Sequence, residues 1–306
     1  RVTVAEGATD ATEGFRRFGL DRIAWNRPVR FFDINRDETE WDSMELRAVD
    51  GSPLSARVSR TIVDAPCRVS LALMKTHVTS MVTFSIKNML SSIHPSDRVM
   101  MHGHAGGGNG YTGVKRLVVE FLKQDNPLVR GLTRGLGAVR TVQHSLHGKR
   151  GPDGWRRLSG PDLGFLKSAE AMNHNLVRLA RKTGPHVSVV DGFVAMHGEG
   201  PRHGTPVKLG VVVAGTNPVA VDAVSASVMG FDPQSIGYLS YANTAGLGPI
   251  DLDEIHVVGD ALGMVSRRLR PHSNHAIARH WTHLAEGVIP APHVRPARLT
   301  TKAGKR

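Results

Sequence analysis

Two lysines and a histidine stand close together at the end of an apolar segment. Lys75 and His77 follow the apolar run of residues 67–74, and Lys87 comes ten residues later. Two ammonium groups beside an imidazole suit a carboxylate or phosphate ligand. The alternative is that both lysines lie along the surface with their charged ends in water. Because Lys75 interrupts an apolar strand, we expect all three to be catalytic residues around an anionic ligand.

A carboxylate follows a second predicted strand, at residues 187–190. Asp191 could bind a metal, orient a histidine such as His197, or act as a base, and the alternative is that it caps its own turn. Gly192 lets the chain turn and lets a ligand approach the backbone. We therefore place Asp191 among the catalytic candidates and Gly192 among the ligand contacts.

A further carboxylate, Asp222, lies inside an otherwise apolar helix, Val219–Val228. A buried charge needs a partner, since burying it bare is expensive. We predict that Asp222 faces Lys75 or His77 as a catalytic residue. A bond to backbone N–H groups is the alternative.

Two histidines, His102 and His104, precede a glycine-rich stretch, Gly106–Gly113. Residues two apart in an extended loop point the same way, so both imidazoles could bind one metal ion. A single histidine acting as an acid, base or anion contact, and a solvated loop, are the alternatives. The glycines fit a mobile lid or an anion-binding loop, and they match neither a phosphate-loop nor a dinucleotide motif.

The elements that must position these residues alternate between strands and helices. This predicts an α/β fold on a mainly parallel sheet with helices on both faces. We predict a hairpin at residues 41–60, further strands at 1–6, 29–34, 67–74, 187–190, 208–214 and 254–258, and helices at 11–18, 78–90, 162–182, 218–229 and 235–245.

The strands at 67–74 and 208–214 are the most apolar, so we expect them to lie centrally and in parallel. Ligands bind beyond the carboxyl ends of such strands, which adds Thr216 and Asn217 to the predicted ligand contacts. A helix over 78–90 would carry Lys87 about 15 Å from its start. Lys87 therefore reaches Lys75 only if that helix is shorter or broken.

Charge and cysteine content narrow the function classes. The single cysteine, Cys67, excludes an intrachain disulfide and a four-cysteine zinc or iron–sulfur site. Of the formal net charge of +12, Arg267–Arg306 carries +8. We predict a basic, extended tail at 265–306 that is either simply solvated or contacts an acidic protein partner or an anionic membrane surface. Nucleic acid ranks lower because the tail nearly lacks aromatic residues.

Targeting signals are not visible in this sequence. No apolar run reaches the roughly 18–20 residues of a membrane span, and no signal peptide precedes the first predicted strand. We therefore expect a cytoplasmic location. The chain begins with Arg1 instead of Met, which leaves a signal ahead of it open.

Four segments carry a family resemblance: 73–77 (LMKTH), 84–88 (FSIKN), 190–201 (VDGFVAMHGEGP) and 204–222. They resemble motifs of the family called domain of unknown function 362, including its PKLKTH strand end and its ALKN segment, and the likeness extends over residues 1–260. The same segments contain Asn88, Gly198 and Gly200, which we predict to contact the ligand, and Glu199 beside them.

The resemblance implies a single α/β domain over residues 1–264, with an insertion at 126–161. It also implies a strand–helix unit ahead of residue 1. Many family members carry a ferredoxin-type module whose cysteines are missing here, so this chain alone holds no iron–sulfur cluster. The family has no common activity to transfer.

Two functions fit these observations. The first is an enzyme acting on a small carboxylate- or phosphate-bearing ligand in a strand-end cleft. The second is a non-catalytic subunit that holds a cofactor or a divalent metal for a redox complex and docks through its basic tail.

Overall fold

The computed structural model describes residues 2–7, 10–23, 28–36, 40–105, 127–129, 131–133, 135–136, 155–158, 160–282 and 288–290. Its strands are β1 (Val2–Glu6), β2 (Val29–Asp33), β3 (Trp41–Arg47), β4 (Pro53–Ser59), β5 (Val69–His77), β6 (Met81–Thr83), β7 (Trp155–Arg157), β8 (Val187–His197), β9 (Thr205–Gly215) and β10 (Val288–Pro290).

The α-helices are α1 (Ala11–Arg17), α2 (Leu20–Ile23), α3 (Arg60–Val63), α4 (Ser85–Asn88), α5 (Gly160–Thr183), α6 (Pro218–Val228), α7 (Gly237–Thr244), α8 (Leu262–Val265) and α9 (His275–Ala278). Short 3-10 helices are Ile34–Arg36, Met89–Ser92, Pro95–His102, Pro233–Ser235 and Leu252–Glu254. The α/β class, the hairpin β3–β4 and the helices α1, α5 and α6 confirm the predictions for those segments.

The central sheet has the order β6-β5-β8-β9 and is mixed. β5 and β8 run parallel, whereas β6 and β9 run antiparallel to their neighbours. The remaining described sheets are pairs: β1 with β2, β3 with β4, and β7 with β10. The prediction of a mainly parallel sheet is therefore wrong, because short connections join β5 to β6 and β8 to β9 as hairpins.

One face of this sheet carries the core. In β5, Ser70, Ala72 and Met74 are buried, and α4 and α6 pack against the sheet. On the other face, Leu71 is 70 % exposed and Val212 of β9 is 61 % exposed. Helices therefore cover only one face among the described residues, not both as predicted.

The two most apolar strands do not lie as the sequence suggested. β9 is the edge strand, and it runs opposite to β5 because both flank β8. Gly215 at the end of β9 pairs with Ser188, which pairs with Ser70 near the start of β5. Thr216 and Asn217 thus lie about five strand residues, or roughly 16 Å, from Lys75 along the sheet.

The chain after β5 forms a hairpin, so the predicted helix over 78–90 is wrong. The backbone amides of Thr79 and Ser80 donate to the His77 ring, and Met81 adopts a left-handed backbone with φ 68°. These bonds turn the chain into β6, and α4 begins only at Ser85. Lys87 therefore sits in the first turn of a short helix, close to the strand that carries Lys75.

The buried carboxylate of Asp222 connects α6 to the start of α4. Its Oδ1 accepts a hydrogen bond from the Ser85 amide at 2.8 Å. Its Oδ2 accepts from the Ile86 amide at 3.1 Å and from the Tyr238 hydroxyl at 3.0 Å. The side chain of Asp222 is fully buried, so these three donors replace the water that the carboxylate has lost.

The predicted contact between Asp222 and Lys75 or His77 is wrong. The alternative holds instead, since Asp222 bonds to backbone amides and to a tyrosine. Burial raises the pKa of Asp222 to about 7, although its hydrogen bonds oppose the shift. Asp222 thus fixes the helix that carries Lys87, without itself touching the lysine.

Two segments near the C-terminus also differ from the predictions. The predicted strand at 254–258 is absent. Val258 in this segment is 84 % exposed, so the apolar side chain of Val258 does not pack against the sheet. Leu269, His272 and Ile277 are buried against the domain. The extended tail predicted from residue 265 therefore does not begin there, and residues 291–306 lie outside the described part.

Removal of the Asp222 carboxylate should destabilise the fold. The Asp222→Ala variant leaves two buried amides and a hydroxyl without an acceptor, and each such group costs about 1–3 kcal/mol. We expect the free energy of unfolding, measured by urea denaturation, to fall by at least about 2 kcal/mol. Tyr238→Phe should cost less, and Asp253→Ala, at an exposed position, should cost little. An Asp222→Ala variant as stable as the Asp253→Ala control would contradict this role.

Candidate functional site

Four basic side chains from three elements lie near the end of β5. Lys75 and His77 come from β5, Lys87 from α4, and His102 from the end of the 3-10 helix Pro95–His102. Burial and then the charge of Lys87 lower the pKa of both histidines, and burial and then the charge of Lys75 lower the pKa of Lys87. We call these four residues the cationic cluster.

Lys87 is the most unusual member of the cluster. Its side chain is only 8 % exposed. Burial, and then the nearby charge of Lys75, lower the pKa of Lys87 from 10.5 to about 7. No carboxylate of the described residues lies within ion-pair distance of its Nζ. Buried lysines usually have an anionic partner, so this one is suited to an anion that the described residues do not supply.

His77 presents one defined ring nitrogen to the cluster. Its Nδ1 accepts from the amides of Thr79 at 3.2 Å and Ser80 at 3.4 Å. The proton therefore resides on Nε2, which has no hydrogen-bond partner among the described residues. Burial and the charge of Lys87 hold the pKa of His77 well below its ordinary value. His77 is thus a neutral imidazole with an N–H available as a donor.

His102 and His104 differ in their surroundings. Burial, then Lys87 and His104, lower the pKa of His102 to about 3, while His104 is exposed. Within the described residues, no group of three His, Cys, Asp or Glu side chains could hold a metal ion. The metal site at His102 and His104 stays a prediction, and the glycine-rich stretch after it lies outside the described residues.

A buried hydroxyl stands directly opposite Lys75. Thr83 of β6 pairs with Lys75 in the antiparallel register, so the two side chains lie on the same side of the ladder. The Oγ1 atom of Thr83 is buried and has no hydrogen-bond partner among the described residues. Burial and then the charge of Arg202 lower the pKa of Lys75, and the Glu6 carboxylate opposes them. A polar ligand here would satisfy the hydroxyl.

A glycine loop closes over the end of β5. The Thr76 hydroxyl donates to the Gly198 carbonyl at 2.9 Å. A Cβ atom on Gly200 would lie 2.2 Å from the Thr76 carbonyl oxygen, so a side chain there would push the loop away. Gly198 has φ 76°, which favours glycine. Both glycines hold the loop in place, and their predicted contact with a ligand stays a prediction.

This loop also positions Glu199, the acid between the two glycines that are predicted to contact the ligand. Glu199 accepts from the Ser273 amide and hydroxyl, each at 3.0 Å, and pairs with His272 at 3.2 Å. The charge of His272 also lowers the pKa of His77. The two glycines flanking Glu199 were a signal of its position. The sequence around His272 does not indicate this contact, because His272 and Glu199 are more than seventy residues apart.

Asp191 and Gly192 have local structural roles. The Asp191 carboxylate accepts from the Phe193 amide at 2.7 Å, beside a bulge in β8. It caps its own turn and forms no hydrogen bond with His197, whose Nδ1 accepts from the Arg270 amide. A Cβ on Gly192 would lie within 3.0 Å of Val211 and Met74 atoms, so this glycine serves packing.

Asn88, Asn217 and Thr216 do not join the cluster through any described contact. Asn88 donates to the Ser70 hydroxyl and to the Leu71 carbonyl. Asn217 caps the start of α6, and Thr216 is exposed beside it. The structure therefore brings Lys75, His77 and Lys87 together and leaves Thr216 and Asn217 at the other end of the sheet.

A surface depression lined by Glu40, Arg60, Thr61 and Asp64 shares no residue with the cluster. Arg60 pairs there with Glu40 at 2.8 Å and with Asp64 at 3.3 Å. The charges in this depression already have ion-pair partners, so none of them requires a bound anion. Lys87 differs because it has no carboxylate partner among the described residues.

The fold and site define a mixed-sheet α/β protein with a buried cationic cluster beside its central strand. The family model described as Domain of unknown function (DUF362) matches residues 1–227, so the chain belongs to this family. Over 83 residues the chain is 32 % identical to the Thylakoid-associated protein sll1697 of Synechocystis sp.. That match spans 27 % of this chain and 26 % of the relative's length. No solved structure gives a significant match.

None of the described helices is long and apolar enough to span a membrane. The predicted cytoplasmic location has no structural test.

Replacement of Lys87 by an apolar side chain of similar length should stabilise the protein in a pH-dependent way. Below pH 7 the lysine is charged in both the folded and the unfolded chain, so burial of the charge costs stability in full. Between pH 7 and 10.5 the folded chain has released that proton and the unfolded chain has not, so the cost shrinks.

We therefore expect Lys87→Met to unfold at higher urea concentration than the wild type at pH 6. The advantage should decrease by at most about 1.4 kcal/mol per pH unit above pH 7. Lys167→Met, at an exposed position of α5, should show no such trend. An advantage of Lys87→Met that stays constant from pH 6 to pH 10 would contradict the burial of an unpaired charge.

Proposed function

We propose that this protein is an enzyme that binds a small carboxylate- or phosphate-bearing ligand in the cationic cluster. The observation that carries the proposal is the buried ammonium group of Lys87, which has no carboxylate partner among the described residues. Leaving a buried cation unpaired costs several kcal/mol, so a bound anion would recover much of that energy.

The neighbouring groups support an anionic ligand. Lys75 supplies a second ammonium group, and the Nε2–H of His77 supplies a neutral donor. The orphaned Thr83 hydroxyl could donate a further hydrogen bond on the same side as Lys75. Hydrogen bonds from ionised donors to an oxyanion are about twice as strong as those between neutral groups. The ligand would thus meet two charged and two neutral donors.

The arrangement also suits catalysis. Donors fixed in a site that excludes water stabilise negative charge that develops on a substrate oxygen. His77 is fixed by the turn that follows β5, and Lys87 by the helix that Asp222 anchors. Both donors are therefore oriented before a ligand arrives, which is what such stabilisation requires.

Inorganic phosphate and acetate are the probes for this proposal. We expect phosphate to bind at pH 6.5, detected by isothermal titration calorimetry, and to raise the melting temperature. Lys87→Met should weaken phosphate binding at least about tenfold, because a charge-assisted contact is worth roughly 1.5–3 kcal/mol. The exposed Lys167→Met control should bind like the wild type.

Two results would contradict the proposal. One is the absence of any heat or thermal stabilisation with either anion at millimolar concentration. The other is equal binding by the wild type and Lys87→Met, which would locate the anion away from the cluster.

A further inference from the structure

We infer that Lys87 is a nucleophilic amine and that the ligand of the cationic cluster is an oxo acid, a compound carrying both a carbonyl group and a carboxylate or phosphate. This inference rests on the proposed function. It adds the reaction class, which is formation of an imine between the Nζ of Lys87 and the carbonyl carbon.

The position of Lys87 favours a reactive amine over a simple charge contact. A lysine that only neutralises an anion works equally well at a partly exposed position, and arginine would serve better because it stays charged. The Lys87 side chain is instead more than nine-tenths buried, with no described carboxylate to hold its proton. Desolvation next to another cation is a recognised way to make a lysine nucleophilic.

Burial, and then the charge of Lys75 on β5, disfavour the charged form of Lys87. Among the described residues, His77 of β5 and His102 of the 3-10 helix also interact with Lys87, and neither of them is acidic. Asp222 packs against the same helix, but its oxygens are occupied by two amides and Tyr238. About half of the Lys87 amine is therefore neutral at pH 7, against about 0.1 % or less for an ordinary lysine.

Three residues of the cluster and the neighbouring Thr83 would have separate roles toward such a substrate. Lys75 carries the second ammonium group, and Thr83 opposite it offers a hydroxyl, so this pair would hold the anionic end. The Nε2–H of His77 would donate to the carbonyl oxygen, whose negative charge grows during attack. The amine of Lys87 would then attack the carbonyl carbon.

The step balances without an oxidant or a reductant. The lone pair of the neutral Nζ forms a C–N bond, and the carbonyl π electrons move to oxygen, which His77 stabilises by its hydrogen bond. A proton passes from nitrogen to that oxygen and gives a carbinolamine. A second proton, from solvent, lets the oxygen leave as water and leaves a protonated imine on Lys87.

Reductive trapping tests the inference. The full-length protein is incubated with pyruvate or with pyridoxal 5′-phosphate, reduced with sodium borohydride, digested and analysed by mass spectrometry. We expect the adduct on Lys87 to form at least about tenfold faster than on any other lysine at pH 7, because far more of its amine is neutral. The rate should rise from pH 6 to pH 8, and inorganic phosphate should suppress it.

The Lys87→Arg variant separates this inference from the proposed function. It keeps a cation but removes the nucleophile, so it should still bind phosphate and yield no adduct at residue 87. Lys167→Met should be trapped at Lys87 like the wild type. Circular dichroism confirms that each variant is folded.

Two outcomes overturn the inference in distinguishable ways. Phosphate binding without a preferential adduct on Lys87 at any pH from 6 to 9 would refute the nucleophile and leave the anion site standing. Failure of phosphate and acetate to bind, together with no adduct, would refute both the anion site and the nucleophile.

Discussion

The hydrogen bonds between the Asp222 carboxylate and the first amides of α4 are the constraint on which the site depends. They join residues 137 and 136 positions apart and cross the core beneath the sheet. Helix α4 has only four residues, too few to be stable by itself. Its position, and with it the position of Lys87, therefore comes from the carboxylate on α6 together with the hydrogen bonds that join Ser85 and Asn88 to the central sheet. The Tyr238 hydroxyl completes the coordination of that carboxylate and extends the same anchoring to α7.

Fixing the backbone of α4 has an electrostatic consequence for the cluster. Because α4 is anchored, the backbone of Lys87 stays next to β5, where burial and then neighbouring charge lower the pKa of Lys87, His77 and His102. Like charges in a poorly solvated site favour the neutral forms. The Glu6 carboxylate only opposes the lowering of the Lys75 pKa, and the Glu199 carboxylate is already held by Ser273 and His272. The free energy spent on desolvating the ammonium groups of Lys75 and Lys87 would be recovered in part when an anion binds.

Local patterns predicted the hairpin β3–β4, the long helix α5 and the capped start of α6, because each depends on neighbouring residues. The same reasoning failed where contacts between residues far apart in the sequence determine the structure. The His77 ring binds the next turn and converts an expected helix into β6. The sheet order places β9 at an edge, which carries Thr216 and Asn217 away from Lys75. His272 lies near the site because it pairs with Glu199, and no spacing in the sequence predicts this contact.

The central claim is that Lys87 is a buried cation without a carboxylate partner among the described residues, and its own titration tests this most directly. Selective isotope labelling of lysine allows each side chain to be followed by NMR as the pH is raised. The structure predicts one lysine resonance, absent in Lys87→Met, that reports a pKa of about 7. This pKa should rise when phosphate is added. A protein in which every lysine titrates near 10.5 would contradict the account, because Lys87 would then be solvated or paired.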